Sequence, residues 1–246
     1  MLHFPRRKRS KSILNVIPVI CSILLVNIFS SGLVYGSWFQ VVEHAEFSPR
    51  DTAEGVVFLG KMWLSNGWHN DGPSDRELWS SEDGAHWTKM LDQTPYDEFS
   101  EMVVYNGKLW AISNSVWCSE NGIDWVRVLE NTPFGARSHG EVVVHDGRMW
   151  QLGSGEDVWW STDGVNWTCA TPHAPFGDRY ASAVTLFNGR IWLMGGATYR
   201  ETPGDGYYPY LDMNNDVWSS EDGTNWTLMT EHASWNGRMW FVGVTD

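Results

Sequence analysis

The sequence predicts an all-β fold, a β-propeller of four-stranded blades: four complete blades plus a partial fifth that the N-terminal strand closes or nearly closes. Three observations predict it. Seventeen tryptophans stand in 246 residues, and fourteen of them fall into three repeated registers. Short apolar runs alternate with Asn-Gly and Asp-Gly turns, and every run is too short and too turn-bounded for a helix. Finally, one loop recurs with a constant eight-residue span between its two Trp residues: WSSEDGAHW (79–87), WCSENGIDW (117–125), WWSTDGVNW (159–167) and WSSEDGTNW (218–226).

Each repeat supplies four segments. Segment a runs apolar into its turn, as in EMVVYNG (101–107), EVVVHDG (141–147) and AVTLFNG (183–189). Asn-Gly and Asp-Gly tolerate positive φ at both central positions, which makes them strong hairpin signals. Segment b starts at G-[KR]-x-W, in GKMW (60–63), GKLW (107–110), GRMW (147–150), GRIW (189–192) and GRMW (237–240). Segment c opens the acidic loop, as in DVWSS (216–220), and segment d starts at the Trp that closes it, as in WTLM (226–229). Four short antiparallel strands recurring about every 40 residues make a propeller blade.

A second spacing fixes the register. An aromatic follows the segment-d Trp by nine residues in Trp38–Phe47, Trp87–Tyr96, Trp125–Phe134, Trp167–Phe176 and Trp226–Trp235. Arg follows three residues later at Arg50, Arg137 and Arg179, each 13 residues before a segment-b Trp. Complete blades are expected at about 47–90, 96–128, 134–169 and 176–229. The fifth would combine 235–246 with 37–44, with its segment a lost, because Trp226 and Trp240 are 14 residues apart where the equivalent Trp pairs of blades 3 and 4 are 25 apart. The expectation is a truncated or internally deleted propeller over 37–246.

These features resemble the kelch-repeat family of β-propellers, in the galactose-oxidase-like superfamily, and among them exported bacterial proteins. The carrying residues are the Arg at the head of strand a, the Asn-Gly turn, IWLMGG (191–196), NDVW (215–218) and the strand-d Trp. Blade 2 departs from the pattern, with Asp97 for the Arg and AISNS (111–115) for the Gly pair. The resemblance to copper radical oxidases of this fold brings no matching Tyr/His set, so no cofactor is expected. The acidic loop resembles the Asp-box turn of sialidases, which implies a structural turn remote from any active site.

Residues 1–36 read as an export signal: five Lys/Arg within 2–11, an apolar stretch over 13–34, and the small residues of VYGS (34–37). An uncleaved anchor is the alternative, since about 20 apolar residues span a bilayer. Either way the expected location is extracytoplasmic, secreted or periplasmic, or tethered by this segment. All 30 acidic residues lie beyond it with 12 of the 17 basic ones, leaving about −18. That charge makes nucleic acid and anionic membrane surfaces poor candidate partners, so no nucleic acid is expected and membrane contact only through the N-terminal segment. Cys118 and Cys169 could pair or stand as two half-buried thiols, and no His, Cys or acidic cluster has metal-ligand spacing.

Alternating strands put the a–b and c–d turns on one face and the b–c and d–a loops on the other. The b–c spans, Trp to Trp, are 16, 7, 9 and 26 residues against eight for every c–d turn. Function tends to sit in variable loops on a rigid scaffold. Two loops dominate that face, SNGWHNDGPSDRE (65–77) and ATYRETPGDGYYPYLDMNND (197–216). They offer His69, Tyr199, Arg200, Tyr207, Tyr208, Tyr210 and Asp212 as binding candidates, a Tyr-rich set suited to polar ligands or a protein surface. Arg50, Arg137 and Arg179 should ring the channel mouth there, where they would hold a carboxylate or brace neighbouring carbonyls.

Three functions compete. The first is a monomeric, non-catalytic module binding a glycan or protein through the b–c face. The second is a carbohydrate enzyme of the sialic-acid epimerase or sialidase-like class, with acid/base candidates Asp97, Glu201 and Asp212. The third is a remnant of a longer propeller with no activity of its own.

Overall fold

The computed structural model describes residues 39–68, 75–201, 204 and 210–244. It divides into two units, 1–40 and 41–246; residues 1–36, expected to be an export signal, and Trp38, His69, Tyr207 and Tyr208 lie outside the described residues. Among those described, no helix is long and apolar enough to cross a membrane.

The second unit is four antiparallel four-stranded sheets arranged as the blades of a propeller. Blade 1 holds β1 (Glu54–Phe58), β2 (Lys61–Ser65), β3 (Leu78–Ser81) and β4 (Thr88–Leu91). Blade 2 holds β5 (Glu101–Tyr105), β6 (Lys108–Ile112), β7 (Val116–Ser119) and β8 (Trp125–Leu129). Blade 3 holds β9 (Glu141–His145), β10 (Arg148–Leu152), β11 (Val158–Ser161) and β12 (Thr168–Thr171). In blade 4 the hairpin of β13 (Ala183–Phe187) and β14 (Arg190–Met194) precedes an inserted hairpin, β15 (Ala197–Tyr199) and β16 (Leu211–Met213). Then β17 (Val217–Ser220) and β18 (Trp226–Thr230) complete the sheet. The first strands pack side by side in the order β1, β5, β9, β13 and so form the inner wall.

Local chemistry explains the blades. Asn106, Asp146 and Asn188 take positive φ ahead of Gly107, Gly147 and Gly189, as the two-residue turn requires. Each segment-b Trp then ties the turn: Trp63, Trp110, Trp150 and Trp192 donate from Nε1 to the carbonyl five residues back, at 3.0 Å in all four. The aromatic that follows strand d packs on the strand-d Trp of the next blade, edge to face. Ring separations are 5.2 Å for Phe47–Trp87, 4.6 Å for Tyr96–Trp125, and 5.0 Å for both Phe134–Trp167 and Phe176–Trp226.

Three apolar clusters fill the joins between blades. Phe58, Trp63 and Leu78 meet Met102 and Leu109 between blades 1 and 2. Trp110, Ile112 and Val116 meet Val142 and Met149 between blades 2 and 3. Trp150, Leu152 and Val158 meet Val184, Ile191 and Leu193 between blades 3 and 4. Each buried side chain of this size contributes about 1.5–3 kcal/mol. Among the described residues no such cluster joins blade 4 to blade 1: Val57 and Phe187 are exposed, whereas the blade-2 and blade-3 counterparts of Val57, Val104 and Val144, pack into clusters.

The expected fifth blade forms no strand in its described residues, 39–44 and 235–244. GRMW (237–240) has no segment a before it, so it has no hairpin partner. Its backbone pairs with blade 4 instead: Arg238 N–H donates to Asn214 O at 3.1 Å, Gly196 N–H to Arg238 O at 2.8 Å, and Trp240 N–H to Ala181 O at 3.1 Å. Cys118 and Cys169 are free thiols on different blades.

Candidate functional site

The two faces differ in how their polar groups are satisfied. On the c–d face, Asp83, Asp163 and Asp222 each accept backbone N–H bonds from residues two and three ahead, at 2.7–2.9 Å, and Asn121 does the same in blade 2. A serine two residues earlier caps the same turn, as Ser161 does for Gly164 N–H at 2.9 Å. Burial works against ionisation, yet the Asn166 and Asn225 groups hold Asp163 and Asp222 down at about 2. These acids are consumed by their turns.

On the opposite face the b–c and d–a segments interlock. Arg50, Arg137 and Arg179 are all placed there, and each guanidinium turns into its own blade. Arg179 donates to Gly195 O and Phe176 O and pairs with both oxygens of Asp216, at 2.6 and 2.9 Å. Arg137 reaches Phe134 O, Ser154 O and Asp157; Arg50 reaches Asn66 O, Asp75 and Glu77. Their side chains are at most 7% exposed. The same acids accept Nε1–H from Trp79, Trp159 and Trp218, so Arg, acid and indole form one rivet per blade. In blade 2, Asp97 and Ser115 stand in for the Arg and the acid, and Trp117 donates to Ser115 Oγ.

The inserted hairpin gathers four of the remaining candidates. Tyr199 pairs with Leu211 across it, Arg200 and Asp212 form an ion pair at 3.1 Å, and Tyr199 and Tyr210 expose their rings. Tyr199 leans on Tyr180 at 5.8 Å, which connects the hairpin to an aromatic cluster nearer the axis. His139 is the hub of that cluster, 4.9 Å from Tyr180, 5.4 Å from Phe99 and 6.2 Å from Trp240. Its backbone takes positive φ, and burial lowers its basicity.

Beside this cluster is a cavity of about 280 Å³ at the start of the innermost strands. Glu54, Glu101 and Glu141 line it with Asp51 and Ser182, and Phe99, His139, Trp240 and Phe241 supply its apolar wall. Burial raises Glu54 from 4.5 to about 7, although the Glu101 carboxyl hydrogen-bonds to it. Burial and then the charge of Glu54 push Glu101 and Glu141 well above the ordinary range. All three carboxyls therefore hold their protons more tightly than a free glutamate does. Among the described residues no set of three His, Cys, Asp or Glu is placed to hold a metal ion.

Comparison with solved structures supports the fold. The structure of YjhT superposes with a TM-score of 0.63 over 79% of this chain and 74% of that one, at 14% identity. No protein-family model and no curated protein matches the sequence.

Sequence reasoning pointed to the face of the b–c and d–a loops and did not single out the cavity. The signal was present: Glu54, Glu101 and Glu141 each lie four residues after Arg50, Asp97 and Arg137, with Ala183 in that position in blade 4. Repeat register therefore sets the three carboxyls at the same level of the inner wall. Trp240 had no such signal, because its expected strand does not form.

Proposed function

We propose that the chain is an exported, kelch-type propeller that binds a glycan or protein through the face carrying its b–c and d–a loops. One contrast carries this reading. The c–d turns are uniform and use their polar groups internally, while the other face bears the inserted hairpin, two exposed tyrosines and the axial cavity. Binding sites combine an apolar wall with a few placed polar groups in this way. The sialic-acid enzyme reading needs the arginines for a sugar carboxylate, and those guanidinium groups are enclosed by their own blades.

The test is a glycan and protein panel read against wild type and a Tyr199→Ala/Tyr210→Ala variant. A ligand retained by wild type and weakened at least tenfold in the variant supports the face. Equal binding by both removes the hairpin from the site. Turnover of a fluorogenic sialoside, or accelerated mutarotation followed by NMR, would instead favour the enzyme.

A further inference from the structure

The axial cavity carries an imbalance that the propeller scaffold does not explain. Four carboxyls line it, from Asp51, Glu54, Glu101 and Glu141, and no Lys or Arg does among its described lining residues. Elsewhere the buried acids of the b–c face have an Arg partner, as Asp157 and Asp216 do. An independent observation points to a ligand. Ser182 is 1% exposed, lines the same cavity, and its hydroxyl has no hydrogen-bond partner. Buried polar groups are almost always paired, and an exception calls for a ligand or a cause.

We propose that the cavity binds the protonated amine of an organic ligand, with Glu54, Glu101, Glu141 and Ser182 as acceptors and the rings of Phe99, His139 and Trp240 around its carbon chain. This rests on the reading of that face as the binding face and names its ligand class. An ammonium group carries three N–H donors and no acceptor, which matches a lining whose glutamates become purely acceptors once they ionise. Aromatic rings favour an adjacent cation electrostatically. The volume of about 280 Å³ accommodates a group larger than a bare ion.

Burial favours the protonated form of these glutamates, and a bound cation would favour the ionised form. Facing the cavity are Asp51 and Glu54 from blade 1, Glu101 from blade 2, and His139 and Glu141 from blade 3. Blade 4 and the 240–242 segment present no charge to it. Amine binding should therefore release protons and strengthen between pH 5 and 8, where an alkylammonium stays charged.

The experiment uses calorimetry with n-pentylamine, N-acetyl-lysine amide and the ε-acetylated form of the latter. Either or both charged probes should bind, and the ε-acetylated form should not. Pentylamine alone binding assigns a free small amine; the lysine amide binding assigns a protein-borne lysine. Glu101→Gln and Glu141→Gln should each weaken binding at least tenfold, and Ser182→Ala about threefold or more. Glutamine keeps the shape of the protonated carboxyl, so unchanged thermal melting checks that the variants fold. If one does not, wild-type titrations in two buffers of different ionisation enthalpy give a second readout, about one proton released. The proposal is overturned by no binding of either amine, by equal binding of the ε-acetylated probe, by neutral monosaccharides binding in place of amines, or by binding without proton release. Absence of amine binding by the wild type, with the Tyr199/Tyr210 ligand still bound, would sink this proposal alone.

Discussion

The six-membered ring of Trp110 in blade 2 lies against Gly164 in the c–d turn of blade 3, so close that a methyl group on that glycine would clash with Cζ3 of the indole. Trp63 covers Gly122 and Trp150 covers Gly223 in the same way. Each blade thus seals the turn of the next. Gly164→Ala, Gly122→Ala and Gly223→Ala should each cost about 2–4 kcal/mol, from overpacking and from a positive φ that only glycine adopts freely. Gly84→Ala should cost only about 1 kcal/mol, because the atom it meets is the flexible tip of Met62 at 3.1 Å. Denaturant unfolding of the four variants checks the ranking.

The same seal separates the tryptophans themselves. No turn glycine lies against Trp192 among the described residues, and its side chain is half-buried. Trp150→Ala should lose about 3–5 kcal/mol, the usual cost of emptying a core site of this size. Trp192→Ala should lose about 1–2 kcal/mol. Equal losses would show that blade 4 is covered as blades 1 to 3 are.

The rivets predict an acid-side transition. Burial opposes ionisation of Asp216, but Arg179 and then Trp218 hold its pKa below the usual range; Asp157 is lowered by Trp159 and Arg137 against the same burial. A depressed carboxylate adds stability above its unfolded pKa and loses it as pH falls through the folded one. Asp216→Ala should cost about 3–5 kcal/mol, since it leaves a buried guanidinium unpaired. Thermal melts at pH 7 test it.

The cavity predicts the reverse slope. Glu54 keeps its proton up to about pH 7, whereas the unfolded chain releases it near 4.5. A raised carboxyl pKa gives stability that is full below the unfolded value and is lost as pH rises through the folded one. Stability should therefore decline from pH 5 toward pH 8, on the order of 2 kcal/mol per retained proton. Glu54→Gln should flatten that decline, which chemical unfolding across the range would record.

Turn chemistry gives the mildest case. Asn121 fills in blade 2 the place that Asp163 fills in blade 3, with the same two backbone bonds. Asp163→Asn should be nearly neutral and Asp163→Ala should cost about 1 kcal/mol, the worth of a local side-chain cap. Differences in melting temperature between the two variants decide it.

Whereas the hairpin of β15 and β16 lies within a stretch expected to be a loop, the four strands of each complete blade and the division of faces were determined by the sequence alone. Those features follow from short-range rules: Asn-Gly turns, alternating apolar runs, and a Trp whose indole reaches a carbonyl five residues away. Tertiary structure decided the rest. Whether GRMW at 237–240 becomes a strand depends on a partner strand that local sequence cannot supply, and it pairs with the loops of blade 4 instead. The arginine register was legible, but the direction of each guanidinium was set by the carbonyls and the acid that close around it. Glu54, Glu101 and Glu141 looked like ordinary strand-leading acids, 47 and 40 residues apart. Only the curvature of the blades about one axis brings them into a shared cavity, where burial and mutual repulsion change their chemistry.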